Sequence, residues 1–191
     1  LEYYFAQAFI GDYAQDTDAL HQKYQALLSE LRKRTSQAVT APGLTTQKPL
    51  RLYFMGEETQ EFQLFNIIED YGGVLVGCDT RLSLYYEPIK EDGSAIENLA
   101  RWIWKMPCNL PTAERIMTTI PYIKKQKPEA IIISSVVGSR NLPGAERLVR
   151  DIITDELSLP VLSIETTLPL ENIEKVKSQT RTFIERNRAT L

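Results

Sequence analysis

Apolar residues in much of this chain fall into short runs that alternate with stretches of helical periodicity. The clearest run covers residues 130–137, AIIISSVV, which are β-branched or small and carry no charge. Such a run is typical of a strand buried on both faces, as in a parallel sheet covered by helices. Residues 143–157 then follow with helical spacing. This region therefore predicts a buried strand, a turn that begins at Gly138, and a helix.

The same alternation extends over a large part of the sequence. It predicts three further strands, at residues 49–55, 74–78 and 160–165. It also predicts helices at residues 59–71, 94–104, 112–126 and 170–188. Successive units of strand, helix and parallel strand imply right-handed crossovers. The predicted fold class is α/β: a doubly wound, mainly parallel, flavodoxin-like sheet with helices on both faces, preceded by a long N-terminal helix.

The N-terminal part of the chain has a different pattern. Residues 1–37 have helical periodicity with a break at Gly11, and residues 39–48, VTAPGLTTQK, are typical of a linker. We expect a helical segment with its linker at residues 1–46 and an α/β C-terminal domain at residues 47–191. Because the sequence opens inside a helical pattern without Met, we expect it to be cut from a longer protein. The apolar stripe of the N-terminal helix should then pack partly on a second domain or subunit.

Composition excludes several classes of protein. A net charge of -3 over 191 residues argues against a general nucleic-acid surface, which needs a basic excess. Since there is neither a secretory signal nor an apolar run that spans a bilayer, we expect a cytoplasmic protein without membrane contact. The single histidine, His21, is expected to face solvent. Cys78 and Cys108 are the only cysteines, too few for a four-thiolate metal site from this chain alone.

The carboxyl ends of parallel strands meet at one edge of a sheet, and ligands of open α/β sheets bind there. Arginines and backbone N–H groups at that edge would suit phosphate or thioester oxygen. An alternative is that each arginine pairs with a nearby carboxylate, such as Asp79 or Glu146, and only shapes its loop. The candidate substrate-binding residues at this edge are Asp79, Arg81, Gly138, Ser139, Arg140 and Asn141.

Three segments, in this order, resemble the D-component subunits of 2-hydroxyacyl-CoA dehydratases and the related benzoyl-CoA reductases. They are YGGVLVGCDTRLSLYYEPI, then ENLARWIWKMPCNLPTAERI, then PEAIIISSVVGSRNLPGAERL followed by LPVLSIETTLP. The resemblance implies the C-terminal α/β domain of a larger subunit that acts on an acyl-CoA. It also implies a second family subunit as partner and an ATP-hydrolysing activator protein that delivers a low-potential electron.

The resemblance further implies a four-iron four-sulfur (4Fe-4S) cluster, some of whose ligands come from another domain. Family members tend to carry a cluster-ligating cysteine in the loop after the strand equivalent to residues 130–137, where this chain has Ser139, a poor ligand for iron. Cys108 matches a cysteine common in the family's Pro-Cys turn. Two hypotheses follow: a subunit of an iron-sulfur acyl-CoA dehydratase or reductase, or a non-catalytic accessory paralogue that lacks its own cluster.

Overall fold

A computed structural model of the chain describes residues 16–36, 48–56, 63–79, 89–105, 109–138, 145–167 and 169–189. Its internal contacts divide the chain into two compact units, Leu1–Thr46 and Gln47–Leu191. The predicted break at Gly11 and most of the predicted linker lie outside the described residues.

The first unit contains helix α1, Thr17–Ser36. Asp16 begins it, because its carboxylate accepts hydrogen bonds from the backbone N–H groups of Asp18 and Ala19, at 3.0 and 3.1 Å. These bonds satisfy two of the N–H groups that a helix leaves without partners in its first turn. His21 is exposed on this helix, as predicted.

In its described residues, the second unit is built on a sheet of four parallel strands. The strands are β1 (Leu50–Gly56), β2 (Gly73–Asp79), β3 (Ala130–Val136) and β4 (Val161–Thr166). Their order in the sheet, β2-β1-β3-β4, is consistent with the predicted flavodoxin-like arrangement. Each strand begins and ends within a residue or so of its predicted position, because runs made mainly of apolar residues fit the buried interior of such a sheet.

Five helices accompany the strands in the described part of this unit. They are α2 (Gln63–Asp70), α3 (Ala95–Trp104), α4 (Thr112–Gln126), α5 (Glu146–Leu157) and α6 (Ile173–Arg188). Gly72 lies two residues after the end of helix α2, and its φ of +88° is the left-handed conformation that glycine adopts readily. Helix α3 starts after Ser94, whose hydroxyl accepts a hydrogen bond from the backbone N–H of Glu97.

Two hydrophobic cores cover the two faces of the sheet. The α2/α6 core contains Leu52, Phe54 and Ile132 from the strands, packed against buried residues of helices α2 and α6. The α4/α5 core contains Tyr53 and Ile131 with buried residues of α4 and α5. Helices therefore lie on both faces of the sheet, as the doubly wound class requires.

Helix α3 departs from the sequence prediction. The helical spacing of its tryptophans, Trp102 and Trp104, predicts core and rim aromatics, yet no residue of this helix is buried and Trp104 is 79% exposed. Ile96, Leu99 and Ile103 are exposed as well. The expectation was wrong because helices α2, α4, α5 and α6 already cover the sheet, so the apolar stripe of α3 has no place in either core.

The edge of the sheet where the strands begin is fixed by polar contacts. Arg51, at the start of β1, donates to the backbone carbonyls of Gln126 and Lys127, at 2.7 and 3.0 Å. These are carbonyls at the C-terminal end of α4, where a cation also suits the helix dipole. Glu129 accepts from the backbone N–H of Arg51 at 2.9 Å and from Lys48 at 2.6 Å.

Candidate functional site at the carboxyl edge of the sheet

The order of the strands places a crevice between the carboxyl ends of β1 and β3. The chain leaves β1 toward β2 on one side, and later adds β4 beside β3 on the other side. Ligands of doubly wound sheets bind at such a switch point. Gly56 ends β1 beside Ser134, and a Cβ added to Gly56 would lie 2.5 Å from the backbone oxygen of Ser134. Glycine is therefore required for the two strands to approach this closely.

The pairing of β1 with β2 contains a one-residue shift. Leu52 pairs with Leu75, but the next residue of β1, Tyr53, pairs with Gly77. Val76 is thus an extra residue in β2, a β-bulge. Because side chains alternate between the faces of a strand, one extra residue moves every later side chain to the opposite face.

This bulge brings Asp79 to the face of the sheet that carries α4 and α5. Asp79 pairs with Met55, a member of the α4/α5 core. Leu75 and Cys78, which are three residues apart, both pack on the α2/α6 core. Unbroken alternation from Leu75 would have directed Asp79 toward that same core, away from α4.

Asp79 is fully buried there and forms an ion pair with Arg115 in the first turn of α4. Nη2 of Arg115 lies 3.2 Å from Oδ2 of Asp79, and the Arg115 side chain is 20% exposed. A cation in the first turn of a helix is opposed by the helix dipole, whereas a carboxylate near that end is favoured. Asp79 therefore offsets the unfavourable position of Arg115, and Arg115 compensates a charge that would be costly to bury alone.

A small pocket of about 20 Å³ lies beside this ion pair, enough for one water-sized group. Among the described residues of its wall, the polar side chains are Asp79, Arg115 and Thr112, and the others are mainly apolar. Nε of Arg115 is buried and has no hydrogen-bond partner within the part of the chain that the structure describes. The pocket is lined by Met55, Gly56, Asp79, Thr112, Arg115, Ile116 and Val149.

The ends of β3 and β4 form the neighbouring part of this edge. The backbone N–H of Val137 donates to the backbone oxygen of Thr166 at 2.9 Å, which ties the end of β3 to β4. Gly138 follows with a φ of +85°, and an added Cβ would meet no atom within 4 Å. The turn at Gly138 thus needs glycine for its backbone conformation, while the space around it is open.

The structure places two of the predicted site residues and adds one that was missed. Asp79 lies at the carboxyl edge, and Gly138 lies two residues after the end of β3 at the same edge. The added residue is Arg115. The sequence contains one indication of it, a basic residue in the first turn of the helix predicted at residues 112–126. The other predicted site residues, Arg81, Ser139, Arg140 and Asn141, lie outside the described residues.

The described side chains do not fit an iron-sulfur cluster. Across the described ranges, no three His, Cys, Asp or Glu residues are grouped so that they could hold a metal ion. Cys78 is half-buried against the α2/α6 core, and Cys108 lies outside the described residues. Among the helices of the described ranges, none combines the length and apolar character needed to cross a membrane.

Comparison with known proteins gives one family. The family model described as 2-hydroxyglutaryl-CoA dehydratase, D-component, matches residues 2–186. The matched region contains all four strands of the sheet and every residue that lines the pocket. No curated protein matched the chain in a sequence comparison.

Proposed function

Because the chain belongs to the 2-hydroxyglutaryl-CoA dehydratase D-component family, we propose that it is a subunit of an acyl-CoA dehydratase or reductase complex. In this proposal the complex uses low-potential electrons on a CoA thioester, either to remove an unactivated hydroxyl group or to reduce an aromatic ring. The family match over residues 2–186 is the observation that carries the proposal. The partners that we propose are a second family subunit and an ATP-dependent activator protein, in the cytoplasm.

We propose that the CoA thioester binds at the carboxyl edge of the sheet. The position of the crevice between β1 and β3 supports this, because ligands of doubly wound sheets bind at such a point. The backbone N–H groups near Gly138 and the side chains of Arg81 and Arg140 are the proposed contacts to thioester and phosphate oxygens. Asp79, Ser139 and Asn141 complete the proposed substrate-binding set.

The four-iron four-sulfur cluster of the proposed complex would supply the low-potential electron when bound. Since the described residues do not offer its ligands, we assign those ligands to the partner subunit or to residues outside the described ranges. The proposed work of this chain is to bind and orient the thioester and to keep water from it. The apolar part of the pocket wall, Met55, Ile116 and Val149, suits that task.

A second candidate function is a non-catalytic accessory subunit without a cluster of its own. The observation that favours it is Ser139, which stands where relatives tend to place a ligating cysteine. A serine hydroxyl does not replace a soft thiolate on iron. In this case the chain would support the complex through its fold and contribute nothing to electron transfer.

Anaerobic purification of the native complex that contains this chain separates the two candidates. The preparation is analysed for iron and acid-labile sulfide, then assayed for dehydration of 2-hydroxyacyl-CoA and for reduction of benzoyl-CoA, with ATP and the activator. The subunit proposal expects turnover that is lost when the chain is omitted from reconstitution. Full turnover without the chain would establish the accessory role, and a complex that acts on no CoA thioester would contradict the subunit proposal.

A further inference from the structure

In the described part of the sheet the outer strands are β2 and β4, and they differ in how their free edges are protected. Proteins commonly protect such an edge with a bulge, a lysine or a proline, because unpaired backbone groups there can pair with another chain. Strand β2 contains the bulge at Val76. Strand β4 pairs with β3 without a register shift and contains neither lysine nor proline. Its outer edge is therefore regular enough to accept a further strand.

The hydrogen bonds to β3 show which backbone groups of β4 face outward. The N–H groups of Ile131 and Val137 donate to the carbonyl oxygens of Pro160 and Thr166, both at 2.9 Å. Because successive residues of a strand direct their backbone groups to opposite sides, the even-numbered residues of β4 face β3. The odd-numbered residues direct their N–H and C=O groups away from the sheet, and they are Val161, Ser163 and Glu165.

The outward groups of Val161 and Ser163 are free among the described residues. Both residues lie inside the continuously described range 145–167, and no hydrogen bond to a described residue engages these groups. At Glu165 the carbonyl oxygen accepts from Nδ2 of Asn172 at 2.7 Å, so a side chain closes the edge there. The free part of the edge is therefore short, and it offers the N–H and C=O groups of Val161 and Ser163.

These free groups are arranged symmetrically about Leu162, a half-buried side chain that packs partly on the α2/α6 core. Consider a second copy of β4 that lies antiparallel, with Leu162 opposite its own counterpart. Val161 of each copy then faces Ser163 of the other, and such a pair exchanges both N–H···O bonds. Every free group of this edge thus gains a partner, while the two leucines cover each other at the symmetry axis.

We infer that β4 is the contact between two copies of this chain, which pair antiparallel about Leu162 into one continuous sheet. The partner is a second copy because the free groups of this edge are complementary to themselves in that register. Antiparallel pairing directs the carboxyl edges of the two sheets in opposite directions, so each candidate site lies apart from the other. This inference does not depend on the proposed function.

Sedimentation velocity of the purified full chain, over a range of concentrations, measures the dimer. Ser163→Pro removes the outward N–H and places a ring on the open edge, while the bonds to β3 are made by other residues of β4. Ser163→Ala is the matched control, because it keeps the N–H and its hydroxyl has no partner among the described residues. We expect Ser163→Pro to weaken dimerisation about tenfold or more, and Ser163→Ala to match the unaltered chain.

A disulfide tests the register of the pair, and it decides the matter if thermal unfolding shows that Ser163→Pro does not fold. Residues directly opposite in a non-hydrogen-bonded pair have Cα atoms about 4.5 Å apart, within the range of a disulfide. Leu162→Cys should therefore give a covalent dimer under mild oxidation, above the background set by the unaltered chain. Glu165→Cys is the matched control, because it is exposed on the same strand but would lie roughly 20 Å from its counterpart.

Three outcomes overturn the inference. A full chain that stays monomeric at every concentration has no such dimer, and a dimer that Ser163→Pro leaves unchanged uses another surface. A covalent dimer of Glu165→Cys without one of Leu162→Cys contradicts the register. If the chain alone is monomeric but another subunit of the native complex slows hydrogen exchange at Ser163, the edge belongs to that subunit and the second copy is not its partner.

Discussion

Asp79 and Arg115 form an ion pair across 36 positions of sequence, with Nη2 of Arg115 3.2 Å from Oδ2 of Asp79. The pair joins the carboxyl end of β2 to the first turn of α4. It lies at the edge of the sheet where the proposed substrate site is, so it links the stability of the fold to the geometry of that site.

The first prediction concerns the energetics of this pair. Arg115→Met removes the cation that lies 3.2 Å from the buried carboxylate of Asp79 and should lower the free energy of unfolding by about 3 to 5 kcal/mol. Adding Asp79→Asn to that variant should restore much of the loss, because no buried charge remains. Denaturant unfolding of the three proteins measures the effect. If the double variant is as unstable as the single one, the buried charge is not the cause.

The second prediction concerns the β-bulge at Val76. Deletion of Val76 removes the extra residue, so simple alternation from Leu75 should keep Asp79 paired with Met55 on the face that carries α4. A double-mutant cycle on Asp79 and Arg115 should then give a clear coupling energy in the deletion background, as in the unaltered protein. A coupling energy near zero after the deletion would show that Val76 is not the extra residue of β2.

The third prediction compares two glycines that have the same backbone requirement. Gly138 and Gly93 have φ of +85° and +82°, and an added Cβ meets no atom within 4 Å at either. Alanine at either position should therefore cost about 1 to 2 kcal/mol of stability, from the left-handed backbone alone. Only Gly138→Ala should weaken acyl-CoA binding, because only that turn is placed at the proposed site. Equal affinity in both variants would make the Gly138 turn purely structural.

The fourth prediction concerns pH and the opposite edge of the sheet. Burial alone would raise the pKa of Glu129, but hydrogen bonds from Lys48 and the backbone of Arg51 outweigh it and hold that pKa below the usual 4.5. A carboxyl group whose pKa is lowered by folding stabilises the folded state above its unfolded pKa, and the contribution disappears as the pH falls through the folded pKa. Glu129→Gln should thus destabilise the protein at pH 7 and progressively less below about pH 4.5.

Unfolding curves between pH 7 and pH 3 test this prediction, with Glu156→Gln on the exposed face of α5 as the control for the loss of one negative charge. A stability difference between Glu129→Gln and the unaltered protein that stays constant over this range would contradict the assignment. Because Glu129 precedes β3 at the edge where the strands begin, the substitution should leave acyl-CoA affinity unchanged.

The sequence predicted the elements of the sheet well for a physical reason. A strand buried on both faces must be apolar throughout, and the run Ala130–Val136 meets that demand regardless of its neighbours. The positions of Asp79 and Gly138 followed, because parallel strands bring their carboxyl ends to one edge. The strands could thus be predicted from local composition. The positions of Asp79 and Gly138 needed one further rule, that parallel strands end at the same edge of the sheet.

Other features depend on contacts that no local pattern records. Nothing around Val76 marks a bulge, and simple alternation along β2 directs Asp79 to the wrong face. The bulge places Asp79 on the same face of the sheet as Arg115. The ion pair between them could therefore not be predicted before the pairing of β1 with β2 was known. Helix α3 has the amphipathic pattern of a buried helix, yet Trp104 is exposed, because the pattern alone does not show whether the chain itself supplies a covering surface.

Hydrogen-deuterium exchange of the complete complex, with and without acetyl-CoA, tests whether a CoA thioester binds at the carboxyl edge of the sheet. We expect slower exchange at the ends of β1, β2 and β3, around Gly56, Asp79 and Gly138. We expect no change around Lys127 and Glu129 at the opposite edge. Slower exchange confined to that opposite edge, or no change at any of these backbone amides under saturating ligand, would contradict it.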